Sequence, residues 1–206
     1  VQGADGALTL LGSNDGPAVS TLPRFKFVGA GHLLRVAPAD VARMPELLRQ
    51  QTLLVREDEG GRVLGATRLQ NPGALDDWYA AAEEVNDLGV RVSNTAASFK
   101  LWAPTAQRVS ICLYPSSGGP ATHLKPMQRD AATGVWQANL HGRHTGHYYT
   151  YLGDGVVPHV GVVRNRVTDP YALSLNANSQ RAYIADMRSP QLAPAGWATH
   201  PVPQRV

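Results

Sequence analysis

Among the residues of this sequence, two pairs of adjacent carboxylates are the best candidates for the catalytic acid and base of a hydrolase. Asp76 and Asp77 form one pair, and Glu83 and Glu84 form the other. Hydrolysis by two carboxyl groups requires that they face each other across the bond, about 5 Å or about 6.5 to 9.5 Å apart. Neighbouring residues of one strand or helix point in different directions, so neither pair flanks one substrate. We therefore expect helix caps and solvated surface residues here, and the sequence predicts no catalytic residue.

Three histidines have a spacing that suggests metal ligands. His141, His144 and His147 recur at every third position, and imidazole is a common ligand of transition metals. However, the three residues span a Gly-containing turn and the start of a strand rather than one helical face, so their side chains should diverge. We interpret them as turn and surface residues, and we predict neither a metal nor a cofactor.

The candidate nucleophiles lack the surroundings that would activate them. Ser110, Ser116 and Ser117 are not in a Gly-x-Ser-x-Gly sequence, the turn that exposes a catalytic serine. Cys112 is the only cysteine, which excludes an internal disulfide and a cysteine-based metal site. Cysteine usage therefore leaves the cellular compartment unknown.

Composition indicates a globular chain without the features of a nucleic-acid or membrane protein. Hydrophobic residues make up 43% and charged residues 17% of the 206 residues, and the net charge is only +3. The basic residues are scattered singly, with no run that would neutralise a row of phosphates. No stretch of about 18 apolar residues is present. Neither nucleic acid nor a membrane is expected as a partner.

The first 90 residues favour short strands with one short helix. Short apolar runs bounded by turn residues predict strands at 8–11, 25–28, 33–36, 53–56 and 62–69. Asp40 is a candidate N-cap for a helix over 41–50, with Pro45 tolerated in its first turn. We expect a β-rich N-terminal accessory module over residues 1–90.

The second part of the chain favours a β-sandwich. Alternation or β-branched and aromatic enrichment predicts strands at 98–103, 108–114, 135–140, 147–152 and 181–186. In the second of these strands, Val109, Ile111 and Leu113 should face the core. The sequence thus predicts a mostly β protein of two modules, the second an immunoglobulin-like sandwich over residues 91–186. Residues 187–206 are Pro-rich and predict a connector.

Three segments, in this order, resemble pullulanases and limit dextrinases, which are family 13 glycoside hydrolases. The first runs Leu69-Gln70-Asn71-Pro72-Gly73-Ala74-Leu75-Asp76-Asp77. The second is Phe99-Lys100-Leu101-Trp102-Ala103-Pro104-Thr105-Ala106, similar to the opening of a family 48 carbohydrate-binding module. The third combines Asp169-Pro170-Tyr171-Ala172 with Arg181, Asp186 and Leu192-Ala193-Pro194-Ala195-Gly196-Trp197.

The resemblance implies a non-catalytic region of a debranching enzyme that hydrolyses α-1,6-glucosidic linkages. Its nucleophile and acid would lie in a catalytic barrel that this sequence does not contain, and the connector over 187–206 would lead towards that barrel. The expected partners are the barrel of the same parent chain and, weakly, α-glucan.

Sugar binding is the remaining chemistry within this sequence, because aromatic rings stack on pyranose faces. The candidate carbohydrate-binding residues are Trp136, Trp102 and Tyr149, although strand alternation favours core positions for both tryptophans. Family modules that grip glucan carry Phe-Asn-x-Trp after the second strand, whereas this chain has Tyr114-Pro115-Ser116-Ser117-Gly118-Gly119-Pro120. Affinity for α-glucan should therefore be weak.

Two other functions fit parts of the sequence. A free-standing α-glucan-binding module would need exposed coplanar aromatic residues and a clean end, and the Pro-rich segment disfavours it. A generic immunoglobulin-like adhesion module is allowed by fold analogy alone, and the ordered family motifs disfavour it.

Overall fold

The computed structural model describes residues 4–15, 23, 26, 31–69 and 72–199, which form two compact units divided after Ala74. The described chain is mostly β-strand with a few short helices, as the sequence predicts. None of the described helices is both long enough and apolar enough to cross a membrane.

The strands among the described residues of the first unit form two antiparallel pairs. Strand β1 (Leu10–Ser13) pairs with β2 (Leu33–Val36), and β3 (Leu53–Glu57) pairs with β4 (Val63–Arg68). The last three agree with the predicted strands, while β1 starts two residues later than predicted. The strand predicted at 25–28 lies outside the described residues apart from Lys26.

The single helix predicted over 41–50 is wrong, because the chain forms two shorter helices there. Helix α1 spans Pro38–Val41 and α2 spans Met44–Leu47. Pro45 explains the break, since it has no N–H to donate to a preceding turn and is tolerated only where a helix begins.

Asp40 is not the N-cap that the sequence suggested, because it lies within α1. Its carboxylate accepts the Thr9 N–H at 2.8 Å and an Arg43 guanidinium N–H at 2.9 Å. These bonds lower the pKa of Asp40, the bond from Thr9 first among them. The residue therefore ties α1 to the chain before β1.

The second unit contains two larger sheets. After helix α3 (Pro72–Trp78) and a 3-10 helix over Ala80–Glu84, the first sheet has the order β5-β6-β10-β9. The second sheet has the order β12-β11-β7-β8, with β13 paired to β11. The bounds are β5 Gly89–Val92, β6 Ala96–Trp102, β7 Arg108–Tyr114, β8 His123–Pro126, β9 Gln128–Arg129, β10 Val135–His141, β11 Tyr148–Val157, β12 Gly161–Val167 and β13 Ala182–Tyr183.

One hydrophobic cluster joins the two sheets of the second unit. Phe99 of β6, Ile111 of β7 and Tyr149 of β11 are fully buried within it. Val109, Ile111 and Leu113 all lie in this cluster, as the alternation of β7 predicts. The immunoglobulin-like topology of the module stays a prediction.

Residues 75–88 pack with the second unit, whereas the sequence pattern placed the module boundary near residue 90. Tyr79 is 2% exposed and its hydroxyl accepts an Arg129 N–H at 2.7 Å. Asp87 forms an ion pair with Lys100 at 2.7 Å. Gly134 approaches so closely that an added Cβ would lie 2.8 Å from Pro104 Cβ and 3.3 Å from Tyr79. The composition change near residue 90 therefore lies inside a packed unit.

Candidate functional site

Tyr149, one of the predicted carbohydrate-binding residues, is part of the core rather than of a surface. Its side chain is 0% exposed, and its hydroxyl donates a 2.6 Å hydrogen bond to Oδ2 of Asp169. Phe99 packs edge-on against its ring at 5.1 Å between ring centroids. A sugar cannot reach this ring unless the sheets separate, so we correct the assignment of Tyr149.

The two tryptophans face opposite sides of the first sheet. Trp136 is 6% exposed and belongs to the core, where its Nε1 donates to the Ala103 carbonyl at 2.9 Å. Trp102 is half-buried and lies outside that cluster, with its Nε1 donating to the Thr133 carbonyl at 3.0 Å. The structure thus does not bring the three predicted residues together, and only Trp102 has ring surface at the exterior.

A groove lies beside Trp102 on the outer face of the first sheet. Its volume is about 360 Å³, and it is lined by Asp76, Tyr79, Ala80, Ala82, Glu83, Leu88, Trp102 and Tyr171. We call this the Trp102 groove. One wall comes from the helical segment 76–83, and the other comes from Trp102 at the end of β6 and Tyr171.

Four polar or aromatic residues of the groove were not assigned to a binding site from the sequence, namely Asp76, Tyr79, Glu83 and Tyr171. Asp76 and Glu83 were treated as solvated surface, and both are indeed exposed. Their separation by seven residues would place them on one face of a continuous helix, but here Asp76 lies in α3 and Glu83 in the 3-10 helix that follows Tyr79. Tyr171 gave no local signal, because it is 69 positions from Trp102 in the sequence.

A buried carboxylate holds the segment that carries Tyr171. Oδ1 of Asp169 accepts the Tyr171 backbone N–H at 2.8 Å, while Oδ2 accepts the hydroxyls of Tyr149 and Tyr151 at 2.6 and 3.4 Å. Burial raises the pKa of Asp169 above its ordinary value, and the three hydrogen bonds oppose that rise. Burial also raises the pKa of both tyrosine hydroxyls, so they stay protonated and act as donors.

The loop that replaces Phe-Asn-x-Trp is fastened by Arg181. Its guanidinium lies 3.7 Å above the Tyr114 ring centroid and donates to the carbonyls of Ser116, Gly118 and Gly119 at 3.0, 3.0 and 2.6 Å. One ring face of Tyr114 is therefore occupied by a cation. With Tyr114 only 4% exposed, this position offers no open aromatic platform.

His141 is the last residue of β10, and His144 and His147 follow it in the loop between β10 and β11. His144 Nε2 is 3.0 Å from the His141 carbonyl, and His147 Nδ1 is 3.1 Å from the His144 carbonyl. A second cavity of about 300 Å³ is lined by His123, Lys125, His141 and His144 among others. Within the described part of the chain, no group of three or more His, Cys, Asp or Glu residues is arranged to hold a metal ion.

Two protein-family models match the chain in succession. Residues 1–77 match the Pullulanase N2 domain, and residues 87–172 match carbohydrate-binding module 48, the isoamylase N-terminal domain.

Pullulanases are among the proteins with similar sequences and structures. The Klebsiella pneumoniae pullulanase is 36% identical over 159 residues, which cover 77% of this chain and 14% of that protein. Pullulanase 1, chloroplastic, of Arabidopsis thaliana is 32% identical over 155 residues, covering 74% of this chain and 15% of that protein. The crystal structure of Klebsiella pneumoniae pullulanase complexed with maltotriose superposes with a TM-score of 0.84 at 32% identity, covering 95% of this chain and 18% of that one.

The matches account for most of this chain but only a small part of each relative. The chain spans about one seventh of the length of the curated relatives, and both matched domains are non-catalytic. By its two consecutive domain matches and its structural likeness, the chain belongs to the pullulanase family of debranching enzymes, as a Pullulanase N2 domain followed by a carbohydrate-binding module 48.

Proposed function

We propose that this chain is the accessory region of an enzyme that hydrolyses α-1,6-glucosidic linkages in an α-glucan such as pullulan, glycogen or amylopectin. The reaction takes place on a catalytic barrel elsewhere in the parent protein. The chain positions that barrel and contacts α-glucan only weakly.

The observation that carries this proposal is the ordered pair of domain matches over residues 1–77 and 87–172. The TM-score of 0.84 over 95% of the chain supports the same arrangement of strands as in a pullulanase that binds maltotriose. An accessory role is supported by the carboxylates, since Asp76 and Asp77 are adjacent in α3, and Glu83 and Glu84 are adjacent in the 3-10 helix that follows. Side chains of adjacent residues point in different directions, so neither adjacent pair flanks one bond as glycoside hydrolysis requires.

The low exposure of most candidate aromatic residues supports only a weak contact with glucan. Tyr149 and Trp136 are in the core, and Arg181 covers one face of Tyr114. Trp102 is thus the member of the predicted set with ring surface available, and it becomes the proposed glucan contact. One or two aromatic contacts yield a dissociation constant on the order of millimolar, after the cost of ordering an oligosaccharide.

A reducing-sugar assay tests the non-catalytic part of the proposal. The purified 206-residue chain is incubated with pullulan beside Klebsiella pneumoniae pullulanase as the positive control. We expect no release above the blank. Release that scales with the concentration of the chain, and that persists after a further purification step, would overturn the proposal.

A further inference from the structure

We propose that the Trp102 groove is a contact site for α-glucan, with the rings of Trp102 and Tyr171 facing the sugar and the carboxylates of Asp76 and Glu83 accepting its hydroxyls. This inference takes its ligand class from the proposed function. It assigns the contact to a place on the outer face of the first sheet, away from the loop after β7 where glucan-binding modules of this family carry their stacking residues.

The aromatic wall of the groove is held in place before any ligand arrives. The only hydrogen-bond donor of the Trp102 side chain is already used on the Thr133 carbonyl, so the indole offers the groove ring surface rather than a polar atom. Ring surface is what the C–H face of a pyranose packs against. A preformed wall spares the complex the cost of ordering these side chains.

Tyr171 is positioned from two directions. Its backbone N–H is bonded to the buried Asp169, and its carbonyl lies so close to Gly89 that an added Cβ there would be 2.9 Å away. Gly89 has a φ of 91°, a conformation that side-chain-bearing residues rarely adopt. The glycine therefore lets segment 169–172 lie directly against β5, which brings Tyr171 to the groove.

The polar wall selects for hydroxyl donors. Asp76 of α3 lines the groove together with Ala80 and Glu83 of the 3-10 helix, and both acidic residues are exposed. Ionised carboxylates accept hydrogen bonds and donate none, so they suit the hydroxyl groups of a sugar. The groove lining contains no Lys, Arg or His, and an anionic ligand would therefore be repelled.

The size of the groove fits a short contact rather than a long binding cleft. A volume of about 360 Å³ is at the lower end of the usual range for small-molecule sites, roughly 300 to 1,000 Å³. We therefore expect a dissociation constant on the order of millimolar for a short oligosaccharide.

The test is an NMR titration of the ¹⁵N-labelled 206-residue chain with maltotriose. The chain has four tryptophans, so their indole Nε1–H signals form a small set in which Trp102→Phe identifies that of Trp102. We expect saturable shifts of the Trp102 indole signal and of the backbone amides of 76–83. The Trp197 indole, which is 66% exposed, should not shift and serves as an internal control.

Carboxylate variants separate binding from a general effect of sugar on the solvent. The double variant Asp76→Asn with Glu83→Gln should weaken the binding of maltotriose about tenfold, since hydrogen bonds to charged acceptors are stronger than neutral ones. Glu84→Gln is the matched control, because Glu84 is exposed on the same segment but does not line the groove. These changes are at exposed positions, so the fold should survive even if Trp102→Phe disturbs it.

Each other outcome contradicts the groove in a recognisable way. Shifts confined to other residues, such as 114–119, would overturn sugar binding at the groove. They would still support the weak glucan contact of the proposed function, at another place on the chain. A response of the Trp102 signal to a tri-lysine peptide but not to maltotriose would assign the groove to a cationic partner instead. If no signal shifts at tens of millimolar maltotriose, the proposed binding at the groove is overturned. The accessory role is tested separately, by the pullulan assay and by a chimeric pullulanase that carries this chain.

Discussion

Two buried aspartates of the second unit have opposite electrostatic surroundings. Asp169 is 4% exposed and is surrounded by neutral donors, so burial raises its pKa. Asp154 is 3% exposed and pairs with Arg164 at 2.6 Å and Arg108 at 2.9 Å, and the Arg164 hydrogen bond in particular lowers its pKa. The pKa values of these two aspartates are therefore shifted in opposite directions within one unit.

These opposite shifts predict opposite pH dependences of stability. The raised pKa of Asp169 means that its contribution to the free energy of unfolding is present below the ordinary pKa near 3.8 and is lost as the pH rises through the raised value. The lowered pKa of Asp154 means that its contribution is present above the ordinary value and is lost as the pH falls through the lowered one. Urea unfolding followed by tryptophan fluorescence from pH 3 to pH 7 measures both.

Asparagine variants isolate the two contributions, because asparagine does not titrate. The stability of the unmodified chain relative to Asp169→Asn should fall as the pH rises from acid to neutral. Its stability relative to Asp154→Asn should rise over acidic pH values. Parallel slopes for the two variants would show that the assigned surroundings of one of these aspartates are wrong.

At the scale of elements, the loop after β7 and the segment after β12 hold each other. Besides the three guanidinium bonds to the loop, the Arg181 backbone N–H donates to Oδ1 of Asn176 at 2.8 Å. The side chain of Asn176 in turn donates to the Ser117 carbonyl at 3.4 Å. The loop that stands in place of a stacking platform is therefore an ordered contact between two parts of the module.

Arg181→Ala should destabilise the second unit by about 1 to 3 kcal/mol, because it removes several hydrogen bonds and the contact with the Tyr114 ring. Thermal unfolding measures the loss, and hydrogen exchange of the 116–119 amides should accelerate. Arg181→Lys should recover only part of the stability, since lysine keeps the charge but not the planar fork.

Arg188→Ala is the matched control for this prediction. Arg188 is an exposed arginine whose guanidinium pairs with Asp186 at 3.1 Å, and its loss should change stability by less than about 0.5 kcal/mol. Equal losses for the Arg181 and Arg188 variants would rule out the fastening role of Arg181.

In the second unit, the strands that sequence predicts well are those with one face in the core, whereas the exposed strand β4 of the first unit was predicted from the turn residues that flank it. Strand β7 was predicted with its observed bounds, and β6 and β10 were predicted to within two residues. Strands β8 and β12 of the same unit, most of whose side chains are exposed, were missed. Such strands form because a neighbouring strand supplies hydrogen-bond partners for their backbone. Since neither face is buried, their sequences show little alternation of apolar and polar residues.

The candidate site was predictable only in its residue types. The alternation of side chains along a strand assigns Tyr149 to one of the two sheet faces, but it does not say which face is covered by other parts of the chain. In this structure, both faces of several strands carry buried residues. The Trp102 groove combines residues near positions 76–83, 102 and 171, so its existence depends on how segment 75–88 packs. No local pattern contains that information.

At the scale of the whole molecule, the division after Ala74 predicts where a protease separates the units. Trypsin should cut after Arg68 well before it cuts after Arg91, because Arg68 is the last residue of β4, six residues before the division, whereas Arg91 lies inside β5, which is paired with β6 within the second unit. Mass spectrometry during limited digestion should show a persistent product that begins at residue 69. If the persistent product instead begins at residue 92, the module boundary lies near residue 90, where the composition changes.

Because the chain belongs to the pullulanase family as two accessory domains, we expect it to support a catalytic domain and not to catalyse hydrolysis itself. Since the chain aligns with 18% of the Klebsiella pneumoniae pullulanase structure at a TM-score of 0.84, it should be able to replace the matching segment there. A chimeric enzyme carrying these 206 residues in that place can be compared with the same enzyme lacking the segment.

The most direct measurement is the rate of pullulan hydrolysis by that chimera and its resistance to thermal inactivation. We predict that the chimera hydrolyses pullulan and outlasts the deleted enzyme on heating, because the proposed role of this region is to position the catalytic barrel. A chimera that is no more active and no more stable than the deleted enzyme, although its accessory region is folded by NMR, would contradict the account.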